Sequence, residues 1–252
     1  MTRAHLIEVV LLTALAAAAA AAVPLNAGVW AWSWDALNHH VYLGYIAEHP
    51  RWHLDVVAAS VQSWQYPYLY WPVYRLSQLD IGGAAAGAIW GGFLAILLTP
   101  PIWVLSWRLL RNDAQPRWQA VFERVASCAL AACSVLVLSA INTTANDPLA
   151  SVPLLWALAL MAAPRASDAS AAWAGSLWGV AVAFKLSNLL ALPLLALWWW
   201  SDSSPRLRWR RGIAIAMAAI AGFTLAYAPW GWQLWRYTGS AFHPLVPGSA
   251  DF

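Results

Sequence analysis

Residues 171–200 form a run of thirty residues that carries a single charge, Lys185. About 20 apolar residues suffice to cross the hydrocarbon core of a bilayer. A longer run with one lysine near its middle restricts the chain to architectures whose apolar faces meet lipid. The pattern recurs at 6–25, 82–110, 121–141, 148–163 and 212–230, with short polar stretches between the runs. Of the 252 residues, 62% are hydrophobic and 10% charged, whereas a soluble domain carries about 25% charged residues. The chain reads as an all-α integral membrane protein, with a single membrane domain over 1–252.

Lys185 also sets the number of spans. In one continuous helix it would sit near the bilayer centre, at a cost of about 2.5–3.5 kcal/mol on insertion scales. That helix would also place Arg165 and the Arg206, Arg208, Arg210 and Arg211 cluster on opposite sides. Two short helices joined near Lys185 bring the lysine to an interface and keep both basic loops on one side, as the positive-inside rule prefers. This predicts about seven transmembrane helices, with the N-terminus inside and the C-terminus outside. The shorter helices would surround a water-filled cavity. Arg108, Arg111, Arg117, Arg124, Arg165 and the Arg206–Arg211 group then face inward. The loop 26–80, the turn 142–147, Lys185 and a tail over 231–252 face outward. The net charge of +3 is thus a topology signal and points to no nucleic-acid partner. The run 6–25, preceded by Arg3 and interrupted by Glu8, is read as a retained first span rather than a cleaved signal peptide. Pro100 and Pro101 predict a kink in the second span. Cys128 and Cys133, five residues apart in one apolar run, read as small core residues rather than a disulfide or metal pair.

The outer loop 26–80 is long enough to need a role. It holds Asp35, Glu48, Asp55 and Asp80, and the aromatic tract Trp64-Gln65-Tyr66-Pro67-Tyr68-Leu69-Tyr70-Trp71-Pro72. Short interfacial helices are expected near 35–48 and 52–64, followed by a proline-broken stretch. Asp35 stands in Trp34-Asp35-Ala36-Leu37-Asn38-His39-His40. Helical spacing puts His39 on its face and extends that face to Tyr42. Such a carboxylate can take a proton from a hydroxyl, fix an imidazole tautomer or help bind a metal. It can equally be a plain N-cap. Asp147, before Pro148, carries the same two readings. Lys185 is the single lysine of the chain. It calls for an anionic partner, either a lipid phosphate or a carboxylate. Arg51, Arg75 and Arg236 are the other outward cations and offer forked donors to a phosphate, or simple interfacial anchoring. Trp64, Tyr66 and Tyr68 present flat faces for sugar rings or prenyl chains, or an aromatic belt. No Walker loop or dinucleotide fingerprint is present. An activated substrate would accordingly be lipid-borne and met at the outer leaflet.

Four stretches, in this order, resemble the GT-C superfamily of polytopic glycosyltransferases that use polyprenyl-phosphate sugars. Protein O-mannosyltransferases and the aminoarabinose transferases of lipid A belong to it. Trp34-Asp35 with His39-His40 is similar to the acidic motif of the family's first outer loop. Asn146-Asp147-Pro148 is similar to its second acidic position. Gly175-x3-Gly179-x5-Lys185 is similar to its glycine-spaced helix ending in lysine. Residues 238–247, Thr-Gly-Ser-Ala-Phe-His-Pro-Leu-Val-Pro, resemble its Gly-Asn-Pro-x-x-Pro-type stretch, with Ser for Asn and looser spacing. Many relatives pair two acids in the first loop, whereas Ala36 follows Asp35 here. The resemblance also implies a C-terminal module that would begin where this sequence stops, so the expectations are a fragment, a shortened member, or a half completed by a partner subunit.

The resemblance implies sugar transfer, with inversion, from a polyprenyl-phosphate donor to a lipid, glycan or protein acceptor. Asp35 would be the base. Asp147 would orient the acceptor or share a divalent metal, Mg or Mn, with Asp35. Lys185, Arg75 and Arg236 would hold the donor phosphate. His39, His40, Tyr42, Trp64, Tyr66 and Tyr68 would line the substrate site. The expected setting is a bacterial inner (plasma) membrane. The rival expectations are a non-catalytic membrane subunit or truncated fragment that binds lipid-linked sugar, and a component of a lipid or sugar transporter.

Overall fold

The computed structural model describes residues 2–55, 58–112, 114–163, 167–195 and 204–248. Among them all regular structure is helical, with no strand. Helix α1 covers Arg3–Ala27. A π-wound turn, Ala36–His40, leads into α2, Val41–Ile46. Then come α3, Trp71–Ser77, and α4, Gly83–Leu109. Next are α5, Arg117–Ala132, and α6, Val135–Ala140. They are followed by α7, Asp147–Met161, α8, Asp168–Phe184, and α9, Pro205–Thr238. Among the described residues, three helices are long and apolar enough to cross a membrane: Arg3–Ala27, Gly83–Leu109, and Arg208–Thr238 within α9.

The helices pack in the order α1, α4, α7, α8, α9. Their termini explain where they start and stop. Thr2 caps α1 reciprocally with His5, and Gly28 ends it in the left-handed conformation at φ 71°, a geometry glycine adopts without strain. Gly239 closes α9 in the same way at φ 73°. Helix α4 continues through Pro100 and Pro101. Only 11% of the apolar window of α1 is buried against 44% for α4, so α4 lies inside and α1 at the rim. Leu11 and Leu15 of α1, Ile96 of α4 and Met217 and Leu225 of α9 remain exposed, as lipid-facing side chains do.

Helices in lipid gain little from apolar contact and associate through close packing of small residues. The α8–α9 pair shows this. A Cβ at Gly175, Gly179 or Gly222 would collide with the backbone of Ile215, Ala219 or Ser176 respectively. The glycine spacing ahead of Lys185 therefore has a packing cause.

The structure divides 171–200 at the expected place. Lys185 is extended, with φ −155° and ψ 118°, and its N–H closes α8 on the Ala181 carbonyl. A 3₁₀ turn, Leu186–Ala191, follows. Residues 196–203 lie outside the described residues, as do Arg165 and the end of the tail.

Four expectations are corrected. The run 121–141 is not one helix. It breaks at Cys133 and Ser134, where the Ser134 hydroxyl accepts from Val137 N–H and starts α6 afresh. Cys133 at this break is exposed rather than a core residue, while Cys128 is half-buried. Among the described residues of 52–64 no α-helix forms. A short 3₁₀ turn, Ser60–Trp64, stands there, and the aromatic tract winds into α3 instead. Helix α9 continues to Thr238, so the tail starts at Gly239 rather than at 231.

Candidate functional site

The bundle has two chemically distinct ends. At one end Trp103 Nε1 and Arg124 both donate to Glu8, and Asp168 meets Arg210 and Arg211. At the other end the loop after α1 bonds to the turn before α7, Ala31 N–H donating to Asn142 O at 3.0 Å. The loop also clasps α9: Tyr66 OH donates to Ala226 O, Trp230 Nε1 to Trp64 O and Tyr237 OH to Pro50 O. Asp35, Asp147 and Lys185 all lie at this second, acidic end.

Asp35 is presented by unusual winding. Ser33 takes the capping role, its hydroxyl accepting from Ala36 N–H at 3.3 Å. Asp35 makes no cap hydrogen bond, and its side chain is 57% exposed. The π turn is closed by Val41 N–H on the Ala36 carbonyl. Adding a residue to the turn lets both His39 and His40 point inward. π-Turns of this kind occur often at functional sites. His39 Nδ1 lies 3.9 Å from Asp35 Oδ1 and has no hydrogen-bond partner. Burial holds the His39 imidazole below its ordinary pKa, with Asp35 opposing.

His40 ties the two acidic segments together. Its Nδ1 lies 2.7 Å from Thr144 Oγ1, a fully buried hydroxyl just before Asp147. Its ring stacks on Tyr70, with centroids 4.7 Å apart, and meets His39 edge-on at 4.4 Å. Burial, followed by the neighbouring His39, pushes the His40 pKa down to about 4. Asp35, Asp147 and Lys185 all act electrostatically on this ring, as smaller influences. The Tyr70 hydroxyl is pushed up, first by burial and then by Asp147 and Asp35. His40 is thus a neutral strut with charged groups around it.

Asp147 is the first residue of α7, and Asn146 precedes the helix without a side-chain cap. The Asp147 carboxylate pairs with the Lys185 ammonium, the two side chains 41% and 37% exposed. Of the two partners open to Lys185 in the sequence, the carboxylate is the one it meets. Asn188 Nδ2 donates to the carbonyls of both Ala150 and Ala181. It holds the end of α8 to α7 beside the pair.

The remaining predicted residues fall elsewhere. Arg75 is bound to Glu48, which also accepts from Trp71 Nε1. Arg236 lies exposed on the last turn of α9. Tyr42 does not extend the Asp35 face. It packs into the cluster of Leu43, Trp52, Trp64 and Trp230, and burial followed by Asp55 pushes its hydroxyl up to about 12. Trp64 is not an open platform either: it is 9% exposed, between Trp52 and His243. Tyr66 and Tyr68 are half-buried and meet edge to face at 5.3 Å. Burying a large apolar side chain from water is worth about 1.5–3 kcal/mol, so these rings fasten the loop to α9. Thr144 and Tyr70, which line the strut, carried no sequence signal beyond their neighbours. What is exposed around Asp35 is Trp34, at 79%, and Leu37, at 67%.

Chemically, the arrangement offers an accessible carboxylate beside a neutral imidazole, and a half-exposed ammonium on a second carboxylate. Among the described residues no three His, Cys, Asp or Glu side chains gather as a metal-ligand set. Asp147 is committed to Lys185, so the two acids do not by themselves fit a shared metal. No family model matches the chain, and no curated protein or solved structure matches it.

Proposed function

We propose that this protein is a membrane glycosyltransferase of GT-C type, taking its sugar from a polyprenyl-phosphate donor. The observation that carries the reading is that His40, bonded to Thr144, ties the Asp35 segment to the segment of the Lys185–Asp147 pair, at the end of the bundle opposite most of the arginines. We read the traffic between the two ends as seven passes. These are α1, α4, α5 with α6, α7, α8, the stretch after Lys185, and α9. The arginine-rich end is inside by the positive-inside rule. The N-terminus is then inside, the acidic end is outside, and the membrane is a bacterial plasma membrane.

In this reaction an acceptor hydroxyl gives its proton to the Asp35 carboxylate as its oxygen attacks the anomeric carbon. The bond from that carbon to the phosphate oxygen breaks with inversion, and polyprenyl phosphate leaves with one more negative charge. In this reading Lys185 meets that charge, and Asp147 holds the ammonium in place. The neutral His39 ring stands 3.9 Å from the Asp35 carboxylate. Trp34 and Leu37 offer an apolar approach for a lipid-borne substrate. An aromatic groove on α9, lined by Phe223, Tyr227, Trp235 and Phe242, suits a hydrocarbon chain. A positioned base contributes about 10²–10⁴ in rate.

The test is transfer by the purified chain from a synthetic polyprenyl-phosphate sugar to a hydroxyl acceptor. Asp35→Asn is expected to abolish turnover while the protein stays monodisperse and melts at the same temperature. Unchanged turnover removes Asp35 from the role of base. Binding of the lipid-linked sugar without any transfer by the unaltered chain favours the non-catalytic subunit.

A further inference from the structure

The turn that carries Lys185 is fastened to both of the helices beside it. Lys185 N–H closes α8 on the Ala181 carbonyl at 3.0 Å, and Asn188 N–H donates to the Lys185 carbonyl at 2.9 Å. The Trp178 indole N–H donates to the Asn188 carbonyl at 3.0 Å. The Asn188 side chain adds two bonds, to Ala181 O at 2.8 Å and to Ala150 O at 3.1 Å. Both contacts are carbonyl oxygens, so the amide nitrogen, with its two N–H groups, is the end turned toward them. Ala181 lies one turn before Lys185 on α8, and Ala150 lies three residues after Asp147 on α7. One amide therefore bridges the two helices that supply the ion pair. Lysine does not fix its own place, because its ammonium is a point charge on a flexible four-carbon stem. Both members of the pair are more than a third exposed, and such pairs order little by themselves. The position of the charge must come from the backbone beneath the stem.

We propose that Asn188 is a positioning residue for the phosphate of a lipid-borne substrate. By holding the start of α7 to the end of α8, it sets where the Lys185 ammonium stands against Asp147 and against that phosphate. The polyprenyl-phosphate substrate rests on the sugar-transfer reading. The placing of the ammonium rests on the hydrogen bonds of Asn188 alone.

Lys185 is the single lysine of the chain, so an amine-reactive reagent followed by peptide mass spectrometry reads its pairing directly. The whole chain in detergent is labelled alone and with farnesyl phosphate. Asp147→Asn sets the rate for an unpaired ammonium, about twofold to fivefold above wild type for a surface pair. Asn188→Ala keeps the backbone carbonyl that Trp178 uses and is expected to reach the same rate. Farnesyl phosphate is expected to protect Lys185, and Asn188→Ala to need about fivefold to tenfold more of it, the scale of one lost hydrogen bond. Tyr237→Phe removes a hydrogen bond to Pro50 at the same end of the bundle and should change neither labelling nor protection. Should Asn188→Ala not elute as a single species, Asn188→Ser, with one short donor, carries the test. A lowered melting temperature with wild-type labelling makes Asn188 structural only and overturns the proposal. Equal protection in wild type and variant, no protection in wild type, or the same change in Tyr237→Phe overturns it too. Absence of sugar transfer by the unaltered chain sinks the proposed reaction alone, since neither readout depends on turnover.

Discussion

Each end of the bundle contains an ion pair that joins two helices, and the two pairs differ in burial. Glu8 and Arg124 are almost wholly enclosed, bidentate, and completed by the Trp103 indole and by the guanidinium lying 5.5 Å over its ring. Asp147 and Lys185 are each more than a third exposed, with the carboxylate of Asp35 open nearby. A buried pair whose carboxylate accepts from both a guanidinium and an indole has little left to offer a ligand. An open pair keeps lone pairs and protons that a substrate can reach. The comparison assigns Glu8–Arg124 to holding the fold and Asp147–Lys185 to the proposed chemistry.

The sharpest way to break this contrast is at Asp35. Asp35→Asn should lower transfer by about 10²–10⁴ with no change in the thermal melt, because a half-exposed carboxylate without a capping bond supports little structure. A matching loss of stability would make Asp35 structural and dissolve the distinction. Next in size is the pair comparison itself. Glu8→Gln leaves Arg124 buried without its counter-charge and should cost about 3–5 kcal/mol. Asp147→Asn removes a half-exposed partner and should cost no more than about 1 kcal/mol. Melting temperatures in one detergent decide between them, and equal losses would erase the difference in burial as an explanation.

A smaller effect is expected at the strut. Thr144→Val keeps the volume and strands His40 Nδ1, at a cost of about 1–3 kcal/mol. It should also slow transfer, because the Asp35 and Asp147 segments lose their side-chain link. The smallest effect is in pH. His40 has a folded pKa near 4, below the ordinary imidazole value near 6.5, so the unfolded chain binds the proton first. Its contribution to stability is present above pH 6.5 and is lost as the pH falls toward 4. Melting curves across that window should slope downward with acidification. His40→Phe, which keeps a ring against Tyr70, should flatten the slope.

Much of the scaffold was legible because apolar length is a local property. The runs at 6–25 and 82–110 need only their own composition to become α1 and α4. The division at Lys185 was readable because a lone lysine in hydrocarbon is costly and because the positive-inside rule leads one to expect the flanking basic loops on one face. Other features depended on partners distant in sequence. Cys133 and Ser134 look like ordinary members of an apolar run, and only the Ser134 cap shows a new helix beginning there. Trp64 and Tyr42 looked like surface aromatics. Their burial depends on Trp230 and the late turns of α9, more than 160 residues away from Trp64.

Composition and charge order alone determined that this chain belongs in a membrane, is helical, and gathers its acids away from most of its arginines. Solvent preference and the cost of unpaired charge act on each segment separately. Tertiary structure decided which charges are consumed and which remain open. It joined Lys185 to Asp147, His40 to Thr144, and Arg124 to Glu8. Hydrogen-bond reach and burial are set by the distance between side chains, and only packing brings segments more than a hundred residues apart within 3 Å.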